Sequence, residues 1–295
     1  MVDMNTPRVD LEPARAWLAG QIRSRVIGDD PATKNAEIFG TGGPRLFDED
    51  SPIHVVHADA SMFIGGLRAL LLQSLHPLAM AGVAAHSDFR TDPWGRLQRT
   101  AEFLAATTYG NVETAERAVA VVRRVHERVV GTAADGRPYA ANDPHLLHWV
   151  HLAESDSFLS AYQRYGSCRL SPADQDRYLA ESAVIASKLG VLDPPTSTRM
   201  LRSQLNDFRP ELRGTRAARE AARFLIIEPP LPVAARPPYL AMAAAAVALL
   251  PAWTRWPLRL PFLPISERLL IGPAGGLVTS IIRWSMQRPV GEDSG

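Results

Sequence analysis

One pattern recurs along the chain and limits the fold more than any other. A capping residue followed by proline opens an apolar stretch, and a glycine closes it. The pattern occurs over residues 92–110, 143–166 and 171–190. Asp and Ser are preferred N-caps, proline suits the first helical position, and glycine suits the position after the last one. Strand signals are scarce, so we predict an all-α protein.

The apolar run from about Asp59 to Ala85 predicts a long helix, which Pro77 should kink or split just after His76. Residues 12–28 predict an N-terminal helix, and residues 111–131 predict another that ends at Gly131. The stretch DGRPYAANDP reads as a turn-rich linker.

No boundary is sharp enough to divide the chain. We therefore expect a single all-helical domain over residues 1–295, with a catalytic core at about 50–250. The part after about Glu228 is expected to form an additional helical layer.

Composition excludes several classes of function. The net charge of +1 provides no field that would attract nucleic acid. Cys168 is the only cysteine, which excludes intrachain disulfides and iron–sulfur clusters and leaves histidine and carboxylate as metal ligands. The charged start of the chain does not resemble a secretory signal, so a cytoplasmic location is expected.

The most apolar segment lies at residues 237–259. Its uninterrupted core is shorter than the ~20 residues that a bilayer span needs, which predicts a buried helix. The alternative is peripheral membrane contact, because Trp253 and Trp256 alternate with Arg255 and Arg259 as interfacial segments do.

His126 lies within the apolar stripe of its predicted helix, among Val119, Val122 and Val129 at 100° per residue. A lone histidine there is more often a satisfied core residue than a ligand. A neutral imidazole in an apolar pocket is nevertheless what a haem iron needs on its proximal side.

A second candidate site lies on the preceding helix. Arg96, Arg99 and Thr100 have i, i+3 and i+4 spacing and share a face. Two guanidinium groups beside a hydroxyl could bind an anion or tune a reactive centre. The alternative is a solvated face paired with Glu102 and Asp92.

His76, His86 and Asp88 provide a third candidate, a two-His-one-carboxylate set for non-haem iron. An H-x-D pair at a helix end is also often only a cap. Farther along, His145, His148 and His151 spread over several helical faces, so at most two of them could share a metal.

Two longer strings carry a family resemblance. They are LHPLAMAGVAAHSDFRTDPWGRLQRT, and VRRVHERVVGTAADGRPYAANDPHLLHWVHLAESDSF. Together they resemble the bacterial family that shares its catalytic domain with latex-clearing protein, a rubber oxygenase, and with the oxygenase of mycophenolic acid biosynthesis. The resemblance covers about residues 50–250.

This resemblance implies a globin-like helical core, with additional N- and C-terminal helices, and a b-type haem. The family's proximal ligand would be His126, and its Arg-x-x-Lys-Thr helix would correspond to Arg96 and Thr100. Arg99 stands where the family has its lysine, and guanidinium is a poor iron ligand. The acidic base of rubber oxygenase has no match in LAMAGVAAH, which leaves His76 or His86 as substitutes.

We therefore expect a haem b-dependent oxygenase that acts with O2 on an apolar, lipid- or isoprenoid-like substrate. Its catalytic candidates are Arg96, Arg99, Thr100 and His76. Its cofactor-binding candidates are His126, Arg96 and His86, with His126 as the iron ligand. A non-haem iron oxygenase and a non-enzymatic haem- or lipid-binding protein are the alternatives.

Overall fold

The computed structural model describes residues 12–26, 36, 38, 40, 42–87 and 91–286, and the described part is all-α apart from one small hairpin. Its first half contains α1 (Glu12–Val26), α2 (Pro52–Ala58), α3 (Met62–Gln73), α4 (Pro77–His86), α5 (Pro93–Tyr109), α6 (Val112–Arg128), β1 (Val130–Thr132) and β2 (Pro138–Ala140). Its second half contains α7 (Pro144–Tyr165), α8 (Pro172–Leu189), α9 (Thr198–Phe208), α10 (Arg216–Ile227), α11 (Arg236–Leu249), α12 (Ala252–Leu258) and α13 (Pro264–Met286).

The capping residues, prolines and glycines recognised in the sequence set the helix ends. Asp92, Asp143 and Ser171 each accept a backbone hydrogen bond as N-caps, with proline next to them in the first turn. Gly190 closes α8 in the left-handed region at φ 112°, where glycine carries no steric penalty. The predicted helix starts at 93, 144 and 172 are therefore confirmed.

Pro77 divides the predicted long apolar helix into α3 and α4. Proline has no N–H to donate and clashes with the preceding turn, so the helix ends before it. The break turns His76 into the N-cap of α4, in extended conformation, with its ring accepting from the backbone N–H of Ala79.

The prediction for the segment after α6 was wrong in the end of the helix and in the absence of strands. Helix α6 ends at Arg128 rather than at Gly131, and β1 and β2 form a two-stranded antiparallel hairpin in which Gly131 faces Tyr139. A Cβ at Gly131 would lie 2.5 Å from the Tyr139 hydroxyl, so the close approach of the two strands requires glycine.

The core is centred on α3 and α7. A Cβ at Gly65 would lie 2.9 Å from Phe158, which shows how closely the two helices approach. Trp149 and Leu152 of α7 are fully buried in this core. Arg68 is also buried there, and it donates to Asp156 at 2.6 Å, to Ser157 at 2.6 Å and to the carbonyl of Leu249 at 3.1 Å. These bonds connect α3, α7 and the end of α11.

The C-terminal helices form a layer over this core. Helix α11 packs on α3, with Ala243, Ala245, Ala246 and Val247 buried, and α13 packs on α11 and α1. The predicted apolar segment at 237–259 is therefore mostly α11 and α12. At the far end of α13, Arg283 donates to both carboxylate oxygens of Asp59 at 3.0 Å each.

Candidate functional site

Helices α5 and α6 form an antiparallel hairpin. Asn111 caps α6 directly after Gly110 ends α5, and the two helices pack against each other. Arg96 and His126 lie nearly equal numbers of residues from this turn, so both occupy the open end of the hairpin. The two strongest site candidates from the sequence are thus brought to one end of the fold.

His126 is half-buried at the last turn of α6. Burial lowers the pKa of its imidazole below the ordinary value, so the ring is neutral at neutral pH. Among the described residues, the ring nitrogens of His126 have no hydrogen-bond partner. Val125 and Val130 beside it remain about half exposed, at 53% and 54%. A neutral nitrogen donor on an apolar surface fits the proximal side of a haem.

The hairpin β1–β2 holds the chain that follows His126 in place. Tyr139 packs against Gly82 of α4, where a Cβ would lie 3.6 Å from the ring. The imidazole Nε2 of His86 lies 3.2 Å from the carbonyl oxygen of Val130, in hydrogen-bond range. His86 therefore connects α4 to β1, two residues beyond the end of α6.

The three polar residues of α5 do not point the same way. Arg96 is half-buried and donates to the Ser87 hydroxyl at 2.8 Å. Burial, with the nearby Arg99, lowers the pKa of the Arg96 guanidinium, although arginine remains protonated. Arg99 is exposed and paired with Asp92 at 3.4 Å, and the exposed Thr100 hydroxyl bonds to the carbonyl of Arg96. Of the three, Arg96 is the residue directed into the protein.

His76 and His86 occupy opposite ends of α4. A helix of this length separates them by ~15 Å, too far for one metal ion. The hypothesis of a non-haem iron site on His76, His86 and Asp88 is therefore wrong for the two histidines. Asp88 itself lies outside the described residues.

The structure instead brings His76 to His145 and Glu211. The Nε2 atom of His76 lies 3.3 Å from one carboxylate oxygen of Glu211, and Nε2 of His145 lies 2.9 Å and 3.0 Å from the two. All three ligand atoms fall within 4.8 Å of one another, which is a geometry that could hold a metal ion. His76 is buried, whereas the other two are exposed.

The proton positions in this cluster favour hydrogen bonds when no metal is bound. Ala79 N–H donates to Nδ1 of His76 at 3.4 Å, so the neutral ring carries its proton on Nε2 and donates it to Glu211. Burial alone would raise the pKa of Glu211, but the hydrogen bonds and charge of His145 and His76 lower it. A metal on Nε2 of His76 would require the proton to move to Nδ1.

A second buried polar group lies between α2, α5, α7 and α8. His57 is 2.9 Å from the Thr108 hydroxyl through Nδ1 and 3.5 Å from the Tyr178 hydroxyl through Nε2. On α7, burial raises the pKa of Glu154 to about 7, and Nε2 of the buried His151 has no hydrogen-bond partner in the described part of the chain. The two contacts of His57 connect α2 to α5 and α8.

Sequence reasoning did not identify Glu211 or Glu154. Glu211 is 66 residues from His145 and 135 from His76, and no spacing signal operates over such distances. Glu154 lies two residues before Asp156 in α7, and only its burial distinguishes it from a surface residue. His145 could be seen in the sequence, but its partner could not.

One family profile matches residues 54–284, and its description is "ER-bound oxygenase mpaB/B'/Rubber oxygenase, catalytic domain". The chain belongs to this family. The match includes the hairpin α5–α6, the histidine cluster and most of the C-terminal layer. No individual curated protein and no solved structure shows significant similarity to the chain.

Membership in the mpaB/rubber oxygenase family gives the coarse chemistry of the domain. It is an oxygenase catalytic domain, which implies a small-molecule substrate and O2 and suggests a metal or haem cofactor. The family expected from the two sequence strings is thereby confirmed.

Proposed function

We propose that the chain is a haem b-dependent oxygenase that acts on an apolar, lipid- or isoprenoid-like substrate, with His126 as the iron ligand. The observation that carries the proposal is the state of His126: a neutral imidazole, half-buried on an apolar surface, with no competing partner among the described residues. When bound, haem would supply the dioxygen chemistry.

Arg96 would serve the reaction from the same end of the α5–α6 hairpin. Its guanidinium is positioned by Ser87 and partly desolvated, and a preorganised cation stabilises negative charge that develops on oxygen more strongly there than in water. Arg99 and Thr100 are exposed and would contribute less directly, by balancing charge at the rim and by fixing the backbone of Arg96.

An apolar substrate is favoured by exposed aliphatic side chains at the open end of the α5–α6 hairpin, where His126 lies. Val125 and Val130 are aliphatic and about half exposed, and Leu97 of α5 is 37% exposed. A surface of this composition binds hydrocarbon with little need for polar recognition.

Absorption spectra test the cofactor. Protein purified from haem-sufficient cells should show a Soret band, which His126→Ala should abolish or strongly shift. His148→Ala is the matched control, because His148 is another half-buried helical histidine but hydrogen-bonds to Gln204 and packs on Phe208. Haem content unchanged in His126→Ala would overturn the assignment.

A second candidate cofactor is a mononuclear iron held by His76, His145 and Glu211, because two imidazoles and one carboxylate are a common non-haem iron set. It predicts stoichiometric iron without a Soret band, lost in His145→Ala and in Glu211→Gln but retained in His126→Ala. Oxygen uptake with apolar substrates then separates both enzymes from a protein that only binds haem or lipid.

A further inference from the structure

The outer side of the C-terminal layer is unusually apolar. Nine large apolar side chains between Trp256 and Trp284 are 37–89% exposed, and they define the C-terminal apolar face: Trp256, Phe262, Leu263, Ile265, Leu269, Leu270, Leu277, Ile281 and Trp284. Between them they expose on the order of 1,000 Å², more than the ~300–600 Å² of the largest patch on an ordinary monomer.

Helix α13 is sharply divided between its two sides. Its inner side buries small or compact residues, among them Gly275 and Thr279, and a Cβ at Gly275 would lie 2.9 Å from Ala245 of α11 and 3.1 Å from Tyr165. At 100° per residue, Leu277 and Trp284 lie nearly opposite Gly275, with Leu270 and Ile281 beside them. These four exposed side chains therefore form one continuous stripe along the helix.

The segment before α13 is held beside the start of this stripe. Glu267 pairs with the buried Arg255 and accepts a hydrogen bond from the backbone N–H of Leu263 at 2.9 Å. The Arg255 guanidinium lies 4.9 Å from the ring centre of Phe262. The tip formed by Phe262 and Leu263 is thus exposed but anchored, as a docking element must be.

The exposed charges on this part of the chain are all positive. Between residues 256 and 286, Glu267 is paired internally and Arg283 is paired with Asp59, which leaves Arg259 and Arg268 as the exposed charges. Tryptophan beside arginine at the edge of an apolar surface is typical of the boundary between lipid headgroups and acyl chains.

We propose that the C-terminal apolar face binds an anionic lipid membrane in the plane of the interface. A protein partner fits less well, because interfaces between proteins carry about one hydrogen bond per 100–200 Å². The outward stripe of α13 offers little polar capacity, such as the hydroxyl of Ser280. Trp256 and Arg259 are the part of the predicted contact segment at 237–259 that belongs to this face.

By length and composition, Pro264–Met286 could cross a membrane, as could two bent helix pairs, 52–58 with 62–73 and 236–249 with 252–258. The packing argues against a span for Pro264–Met286. Its inner side packs on α11 and α1, and Arg283 is bound to Asp59. Crossing a membrane would require breaking both the helix packing and this ion pair. A helix lying in the interface keeps these contacts and buries only its outer stripe.

Vesicle sedimentation with the full-length chain tests the proposal. The protein should bind vesicles of phosphatidylcholine with phosphatidylserine, and bind phosphatidylcholine alone more weakly. Arg259→Ala and Arg268→Ala should each weaken binding about fivefold, and added salt should remove that difference. Leu277→Glu should weaken binding about tenfold or more.

Leu192→Glu is the matched control, because Leu192 is 84% exposed in the loop after α8 and outside the apolar face. It should bind like the wild type, and circular dichroism should show each variant folded. Absence of vesicle binding, or equal binding by Leu277→Glu, would overturn the proposal. The proposal would also be overturned if the wild type is a dimer that Leu277→Glu dissociates, and if neither protein binds vesicles. A second copy of the chain would then cover the face. Extraction from cell membranes by detergent but not by alkaline carbonate would overturn the in-plane arrangement.

Discussion

The partly buried His57 and the buried His151 should make the folded state sensitive to mild acid. Burial, with the charge of His54, lowers the pKa of His57 to about 3. Burial, with the charge of His148, lowers the pKa of His151 to about 3 as well. Both imidazoles have an ordinary pKa of 6.5. On acidification the unfolded chain therefore binds protons at these histidines at a higher pH than the folded chain does.

The sign and the pH window follow from the depressed pKa values. The stability that these histidines contribute is fully present above pH 6.5 and is lost as the pH falls toward 3. Each histidine adds a slope of up to ~1.4 kcal/mol per pH unit in the free energy of unfolding. By pH 5 the loss is about 2 kcal/mol for each, a large part of the ~5–15 kcal/mol available to a domain.

Urea unfolding at a series of pH values measures this slope. His151→Leu should change the free energy of unfolding at neutral pH by only about 1 kcal/mol, because the 3.4 Å hydrogen bond between Nδ1 and the Ser155 hydroxyl is lost but Nε2 has no partner among the described residues. Below pH 6.5 the variant should become more stable than the wild type, with a slope smaller by ~1 kcal/mol per pH unit. His86→Leu removes an exposed imidazole and controls for the loss of a histidine as such. Equal slopes for His151→Leu and the wild type would refute the reasoning.

Three further changes test the site and the helix ends. Arg96→Ala should retain haem and slow turnover by roughly 10²-fold, because the desolvated cation acts on developing charge; haem and activity falling together would instead place Arg96 on a haem propionate. Arg99→Lys should leave the visible spectrum unchanged, because Arg99 is exposed and paired with Asp92; a six-coordinate low-spin spectrum would show that this side chain reaches the iron. Gly190→Ala should lower the free energy of unfolding by about 1–2 kcal/mol in urea titrations, because φ is 112° there; an unchanged midpoint would contradict the left-handed cap.

The helix boundaries could be predicted from the sequence because each helix end depends on residues that are close together in the chain. Capping by Asp92 and Asp143 needs only a backbone N–H two or three residues away, and the break at Pro77 needs only the proline itself. The hairpin β1–β2 was not predicted because each strand has only three residues, too few to show alternation. Its pairing depends on how closely Tyr139 approaches Gly131, which is a tertiary property.

The candidate site was predictable only in part for the same reason. Helical spacing gave Arg96, Arg99 and Thr100 a common side of α5, but spacing does not say which of them the neighbouring helices cover, and only Arg96 is directed into the protein. The cluster of His76, His145 and Glu211 depends on contacts across more than 60 residues, so no local pattern encodes it. Exposure of the C-terminal apolar face likewise depends on which side of α13 meets α11.

Chemical rescue with imidazole is the sharpest test of His126 as the haem iron ligand. His126→Gly removes the imidazole from a half-buried position and leaves room for a free one to enter. We expect that His126→Gly, reconstituted with haem, lacks the wild-type spectrum and regains it, with oxygen uptake, when imidazole is added. A wild-type spectrum in His126→Gly without imidazole would contradict the assignment, and so would wild-type protein that carries no haem after reconstitution.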